Sequence, residues 1–280
     1  MDTIQAVITG AVQGLSEFLP ISSSAHIVFS NELYSLITNM PIENSTNQEE
    51  IFFSIMVHLA TLFAVIIYFF KDLKTIFKGF FNSLKEKNYK DDNFKIVSYI
   101  ALSTIITGII GLALKEKIEA LIADPKLICI FLFITGLILL GSEKLYKGDK
   151  KIDLKKSIIV AIAQGLAVIP GLSRSGLTIS SALFCGVNRI EAARFSFLMS
   201  IPVIILASLI YPLIELDFSQ ILSFNLKAII LGSIVSFITG YICIKYFMQL
   251  LGKISLKGFG YYCLLASVFV FILFQFVYHQ

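Results

Sequence analysis

Apolar runs and short polar breaks alternate along the whole chain, and the run lengths fall into two kinds. Residues 51–70, 96–114, 127–142, 195–214, 227–248 and 259–278 are apolar over about the twenty residues that a helix needs to cross a bilayer, with 127–142 somewhat short. Two other runs, 3–15 and 157–169, are too short to cross. The first leads into a polar tip of Glu17, Pro20, Ser22, Ser23, Ser24 and His26, then a short apolar piece to Phe29. The second ends at Pro170 and the tip Ser173-Arg174-Ser175-Gly176, followed by a short return piece, 177–187. Each reads as a re-entrant hairpin of two short helices, because backbone broken at mid-membrane depth has no partners in lipid and must be enclosed by protein or line a cavity. Between these elements lie a polar segment without Lys or Arg (31–50), a lysine-rich loop from Lys71 to Lys95, a mixed-charge loop from Lys115 to Lys126 and a second lysine-rich loop, 143–156. An acidic loop (215–226, with Glu215 and Asp217) and a loop marked by Lys253 and Lys257 complete the pattern.

Composition settles the class. Of 280 residues 56% are hydrophobic and 15% charged, against about 25% charged in soluble domains. An all-α integral membrane protein is expected, a single membrane domain over 1–280 with no polar stretch long enough to enclose a soluble core. The first residues lack a basic region and an A-x-A site, so they are read as part of the fold, not as a cleaved signal. The lysine-rich loops 71–95 and 143–156, with 249–257, are assigned to the cytoplasm and the lysine-poor 31–50 and 215–226 to the outside. Six spans satisfy that assignment only if both hairpins re-enter without crossing, the first from outside and the second from the cytoplasm, with both termini outside.

That arrangement predicts an inverted-topology repeat, one half about 1–145 and the other about 155–280, each with one hairpin and three spans. Gln13-Gly14-Leu15 matches Gln164-Gly165-Leu166, an offset of 151, and the same offset aligns Ser22, Ser23 and Ser24 with Ser173, Arg174 and Ser175. Phe53-Ser54 pairs with Phe195-Ser196, and Ile106-Thr107-Gly108 with Ile238-Thr239-Gly240. Inverted repeats of broken helices bring their polar tips together near the midplane.

The tips carry the candidate chemistry. Arginine is costly inside a membrane, and Arg174 beside glycine- and serine-rich backbone at a helix start makes an anion site, with N–H groups of 173–176 as further donors. Glu17 is a candidate ligand for a divalent cation, His26 for acid–base work and a serine among Ser22–Ser24 for nucleophile. Each has a plainer reading: Glu17 as structural counter-ion to Arg174, His26 as a hydrogen-bonded structural histidine, the serines as backbone-bonded hydroxyls. Their coincidence at two repeat-related tips favours phosphoryl chemistry.

Gln13-Gly-Leu-Ser-Glu17-Phe-Leu-Pro-Ile-Ser-Ser-Ser-Ala-His26 and Pro170-Gly-Leu-Ser-Arg-Ser-Gly-Leu-Thr-Ile179 resemble the two signature motifs of the undecaprenyl-diphosphate phosphatases, the bacitracin-resistance proteins, and the resemblance runs over essentially the whole chain. It implies removal of the terminal phosphate of undecaprenyl diphosphate, which returns the lipid carrier for cell-wall synthesis, at a site facing the outer side. It also implies a divalent cation, Mg or Ca, and bacitracin as competitor for the substrate. Carried over, Glu17, Ser22, Ser23 and His26 fall on the first motif and Ser173, Arg174 and Thr178 on the second. Gln13 stands where well-known members carry glutamate; it supplies no second anionic ligand, but the side chain can still bind metal, through its carbonyl oxygen, or phosphate. Ser23 is the chosen nucleophile, with His26 as proton shuttle; direct attack by water is the alternative.

The rival reading is a transporter or flippase of a phosphorylated lipid or small anion, since such proteins share this build. Nucleic acid is not an expected partner, and a homodimer stays open. Gly10-x-x-x-Gly14 is read as intramolecular packing. Cys129, Cys185, Cys243 and Cys263 are expected to be small buried hydrophobes, His58 a structural polar contact, and Glu191 with Arg194 a surface pair. The sequon Asn44-Ser45-Thr46 and His279 carry no weight.

Overall fold

The computed structural model describes residues 1–38, 48–122, 125–146, 148–216, 221 and 223–277, without the side chains of 115–122, 211–212, 214–215 and 276–277. The sequon Asn44-Ser45-Thr46, Lys147, Asp217 and His279 lie outside the described residues, as do the side chains of Lys115 and Glu215. The described residues form α1 (Thr3–Phe18), α2 (Ser23–Thr38), α3 (Gln48–Tyr68), α4 (Phe70–Lys85), α5 (Asp92–Ile122), α6 (Pro125–Leu145), α7 (Leu154–Leu166), α8 (Arg174–Phe184), α9 (Arg189–Glu215), α10 (Leu226–Leu251) and α11 (Lys257–Val277). Among them the only β-type pairing is an isolated bridge between Lys150 and Val187. Helices α3, α5, α6, α9, α10 and α11 are long and apolar enough to cross a membrane, and they coincide with the six expected runs. The chain is an all-α, multi-pass integral membrane protein.

Several boundaries differ from expectation for identifiable reasons. The stretch from Lys71 to Lys95 is not simply a loop. Its first half is α4, because Phe70, Leu73, Ile76, Phe77, Phe80, Phe81 and Leu84 recur at helical spacing among the lysines. Helix α6 has 21 residues, since Pro125 serves as a first-turn proline and Glu143 and Lys144 extend the helix past the apolar run. Helix α5 continues to Ile122 through the expected mixed-charge loop. Helix α2 runs past Phe29 to Thr38, carrying Leu33, Leu36 and Ile37 on an exposed face.

The short helices are α1 and α2 with 16 residues each, α7 with 13 and α8 with 11. At 1.5 Å per residue α7 is roughly 20 Å long, short of a hydrocarbon core of about 30 Å. Each of α1 and α7 runs beside a full-length helix drawn from the other half of the chain, α1 on α10 and α7 on α5. Along α7, Ser103 Oγ donates to Ser157 O at 3.4 Å, Thr107 Oγ1 to Ala161 O at 3.3 Å and Gln164 Nε2 to Thr107 Oγ1 at 3.2 Å. Along α1 the approach is closer still: a Cβ on Gly10 would overlap the carbonyl of Gly232, and one on Gly14 the hydroxyl of Thr239. The Gly10–Gly14 pair therefore serves intramolecular contact. Helix α1 ends beside the middle of α10, where Cys243 Sγ lies 3.1 Å from Leu15 O.

The core fills the space around the two chain turns. Phe18 at the end of α1 meets Phe197 edge-on at 5.5 Å, and Phe197 in turn contacts Phe69 and Phe247 at 6.4 and 6.2 Å. The outward faces of the spans are apolar, with Ile105, Leu112, Leu209, Leu265 and Phe269 among many exposed side chains, as lipid contact requires. At the lysine-rich end Glu143 takes both Nε and Nη2 of Arg189, at 2.9 and 2.6 Å, as well as Ser255 Oγ and Leu256 N. Arg194 does not pair with Glu191 at the surface as expected. It forks onto Asp72 at 2.6 and 2.7 Å, tying α9 to α4, while Glu191 accepts from Ile152 N and Asn188. The bidentate fit of a carboxylate from a distant helix outweighs a single-turn contact. The four cysteines are free; Cys129, Cys243 and Cys263 are buried and Cys185 half-buried.

Candidate active site where the two tips meet

Each tip ends one short helix and starts another, and the two second helices begin at repeat-related residues, Ser23 and Arg174. The local bonding repeats as well. Ser22 Oγ and Ser173 Oγ accept from the N–H of Ala25 and Gly176, at 3.4 and 3.0 Å, as N-caps do. Ser22 Oγ lies 3.1 Å from Ser24 Oγ, and Ser173 Oγ lies 3.2 Å from Ser175 Oγ. Ser24 and Ser175 then each reach across to the opposite turn: Ser24 Oγ accepts from Gly171 N at 3.3 Å, and Ser175 Oγ donates to Leu19 O at 2.9 Å. The turns themselves are made differently. Gly171 takes φ +93°, where a Cβ would press on Ile128 O, whereas the first tip puts the non-glycine Ser22 at φ +69°, a strained conformation costing on the order of 1 kcal/mol or more.

Across this junction Arg174 Nη2 donates to Glu17 Oε1 at 2.5 Å. The other carboxylate oxygen, Oε2, accepts from Gln13 Nε2 at 3.0 Å and from Ser23 Oγ at 2.9 Å. Glu17, Gln13, Arg174 and Ser23 are thus one connected cluster. Two buried polar atoms in it have no hydrogen-bond partner, Gln13 Oε1 and Arg174 Nη1. A buried donor left unpaired costs roughly 1–3 kcal/mol, more when charged. The cluster thus leaves one guanidinium nitrogen free to donate and one amide oxygen free to accept.

The remaining expected residues fall into place around that cluster, not all facing it. His26 Nδ1 lies 2.8 Å from Ser22 O; a carbonyl only accepts, so Nδ1 carries the proton, and Nε2 accepts from Tyr262 Oη at 2.7 Å. The two rings stack at 5.6 Å. Both ring nitrogens are therefore engaged, and the group bonded to the Ser23 hydroxyl is Glu17. Thr178 is wholly buried and its hydroxyl donates to Arg174 O at 2.7 Å while lying 2.6 Å from Ser196 Oγ; it holds the arginine's turn. Ser173, Ser175 and Gly176 are buried, with Ser173 N donating to Thr135 Oγ1 at 3.1 Å.

A cavity of about 540 Å³ lies among α1, α2, α3 and α9. Ile51, Ile55, Val203 and Ile204 give it apolar walls, and Thr9, Asn31 and His58 are among its polar groups. It meets the tips at Ser24 and Pro170; neither Glu17 nor Arg174 lines it, so the ion pair sits behind the tip surface. Tyr262, Thr135, the contact of Ser196 with Thr178 and the cavity role of His58 escaped the sequence reading. Tyr262 and Thr135 sit inside ordinary apolar spans with no motif to flag them. His58 bonds Ser54 O at 2.8 Å, as a structural histidine does, and also lines the cavity.

Six spans, two pairs of short helices and an arginine–carboxylate–serine cluster at their junction define a class: polytopic membrane proteins with an ion pair held where two short-helix pairs meet. Within that class, the chain belongs to the bacitracin resistance protein BacA family, which it matches over residues 6–269. It is similar to the undecaprenyl-diphosphatase of Methanobrevibacter smithii, with 37% identity over 97% of this chain and 98% of that one. The undecaprenyl-diphosphatase of Methanosphaera stadtmanae is 38% identical over 98% of each chain. Undecaprenyl-diphosphatase 2 of Halalkalibacterium halodurans is 38% identical over 98% of this chain and 97% of its own.

Proposed function

We propose that this protein is an undecaprenyl-diphosphate phosphatase, hydrolysing the lipid diphosphate to the monophosphate and inorganic phosphate. One observation carries the site assignment beyond family membership: the Glu17–Arg174–Ser23 cluster, assembled from both tips with a guanidinium nitrogen left unpaired. The diphosphate competes with Glu17 for Arg174, whose planar fork suits two phosphate oxygens. Ser23 Oγ attacks the terminal phosphorus while its proton passes to Glu17 Oε2, to which it is already bonded. The bond to the bridging oxygen breaks and the polyprenyl monophosphate leaves, carrying away the proton that Glu17 held. Water then attacks the phosphoserine, giving a proton to the Glu17 carboxylate, which hands it to Ser23 Oγ as the P–Oγ bond breaks; Ser23 and the carboxylate are restored and phosphate is released. His26, held by Ser22 O and Tyr262, orients the first turn of α2 and does not touch the Glu17–Ser23 pair, so the proton transfers run through Glu17 and not through His26 as expected.

The donors available to a divalent cation are all oxygens: Glu17, the orphaned Gln13 Oε1 and nearby hydroxyls. They suit Mg or Ca, which favour such ligands. Among the described residues no three acidic, histidine or cysteine side chains cluster to hold an ion; Glu17 and Gln13 Oε1 would be the protein groups that hold it. When bound, the cation neutralises phosphate charge. The prenyl tail starts in the apolar cavity and continues into the bilayer, since 540 Å³ holds only a drug-sized portion of it. We assign the hairpins as re-entrant from opposite leaflets, in two inverted halves, with the site opening and both termini on the outer side. Bacitracin competes for the substrate, and nothing in the mechanism needs a second copy of the chain. Purified protein in detergent is expected to release phosphate from undecaprenyl diphosphate. Uptake of the lipid into proteoliposomes with no phosphate release would instead establish the transporter reading.

A further inference from the structure

Helix α4 is divided lengthwise into three faces. One is packed: Ile76 and Ser83 are buried, Phe80 stacks on Phe94 of α5 at 5.6 Å, and Gly79 lies against Asn93. Asp72 is forked by Arg194 at 2.6 and 2.7 Å, so the rotation of the helix about its axis is fixed from two sides. The second face is aromatic and uncovered, with Phe70, Phe77 and Phe81 exposed by 60, 54 and 59% and Leu84 in the same stripe. Along its edge runs the third, Lys71, Lys74, Lys78 and Lys85, all exposed. At 100° per residue the four lysines fall in one narrow stripe that borders the aromatic one on a single side.

We infer that α4 is a membrane-interface helix that recruits anionic phospholipids, its phenylalanines in the acyl region and its lysines on the headgroup phosphates. A row of phenylalanines this exposed is not tolerated in water, and lipid supplies the cover. Once those rings are immersed, the bordering lysines lie at headgroup depth, where ammonium groups snorkel. Zwitterionic headgroups offer no net charge to four aligned cations; anionic ones do. The packed face fixes the direction in which the lysine row points, away from α5, so the lipids are selected at a defined place, not by diffuse charge. The inference is independent of the phosphatase assignment.

The chain contains no tryptophan, so Phe77→Trp installs a single fluorescent reporter in the aromatic stripe. The full-length protein would be reconstituted in phosphatidylcholine vesicles doped at equal fractions with tail-brominated phosphatidylglycerol or tail-brominated phosphatidylcholine. Quenching by both lipids is expected, with a preference for the anionic one of roughly fivefold or more that shrinks in high salt. Adding Lys71→Gln, Lys74→Gln and Lys78→Gln should bring the preference to unity, whereas Lys227→Gln, at the start of α10, should leave it intact. No quenching by either lipid would overturn the immersion of the phenylalanines. Equal quenching by both, or a preference that survives the triple substitution, would overturn lipid selection by the lysine row.

Discussion

The two tips share a bonding pattern residue for residue, yet they have become different parts. Ser22 and Ser173 both cap a helix, and Ser24 and Ser175 both cross to the other turn. In the second tip almost everything is sealed: Ser173, Ser175, Gly176 and Thr178 are buried, and the left-handed turn residue is an unstrained glycine. In the first tip Ser23 is half-buried, Ser24 is exposed, and a serine bears the positive φ. The decisive change is at one aligned pair, Ser23 against Arg174. The two tips thus differ in what they offer: the second holds a guanidinium among buried groups, and the first presents a half-buried hydroxyl, which the proposed mechanism uses as the nucleophile.

The contrast is broken most severely at its shared contact. Arg174→Ala and Glu17→Gln are each expected to cut phosphate release by roughly 10²–10³-fold, measured on purified protein by the inorganic phosphate formed. Next comes the serine contrast. Ser23→Ala should lower kcat by about 10²-fold or more with little change in melting temperature, and labelled phosphate should no longer be trapped on the protein. Ser175→Ala, its neighbour in the sealed tip, should act the other way round. It removes one of the two donors to Leu19 O, which keeps Ile21 N at 2.8 Å, and costs about 0.5–1.5 kcal/mol of stability, read as a lower melting temperature with kcat largely kept. If Ser23→Ala retains most activity, water attacks directly and Ser23 is only a bonded neighbour of Glu17.

Smaller effects sharpen the picture of the first tip. Gln13→Glu adds a second anionic oxygen and should lower the divalent-cation concentration needed for half-maximal activity by roughly tenfold, as read by titrating Mg into chelator-treated protein. Tyr262→Phe removes the donor to His26 Nε2; a loss of about five- to tenfold, worth one hydrogen bond, should appear together with an altered pH profile. An unchanged profile would mean that Tyr262 only packs against the ring.

Much of this was legible from residue order, for physical reasons. Spans of about twenty apolar residues announce themselves because lipid tolerates nothing else, and Arg174 in such surroundings demands a purpose. The 151-residue offset between the motifs foretold that Ser22 and Ser173 would behave alike. What stayed hidden depended on contacts between distant helices. The lysines of α4 masked its helical apolar spacing, so the stretch read as a loop. Arg194 sits one turn from Glu191, but the partner that wins is Asp72, 122 residues away. Tyr262 carries no local signal, and only the fold brings its hydroxyl to His26. The burial of Thr178 likewise could not be read from its place in a motif.

The central claim is that the two tips act as one phosphate site, and a double-mutant cycle in phosphate release tests it most directly. Glu17→Gln, Arg174→Ala and the combined variant would be assayed on undecaprenyl diphosphate under identical conditions. Residues that work as a unit are not additive, so the combined variant should be about as slow as the slower single one. Losses that multiply would mean that Glu17 and Arg174 act independently, and the shared site would be contradicted.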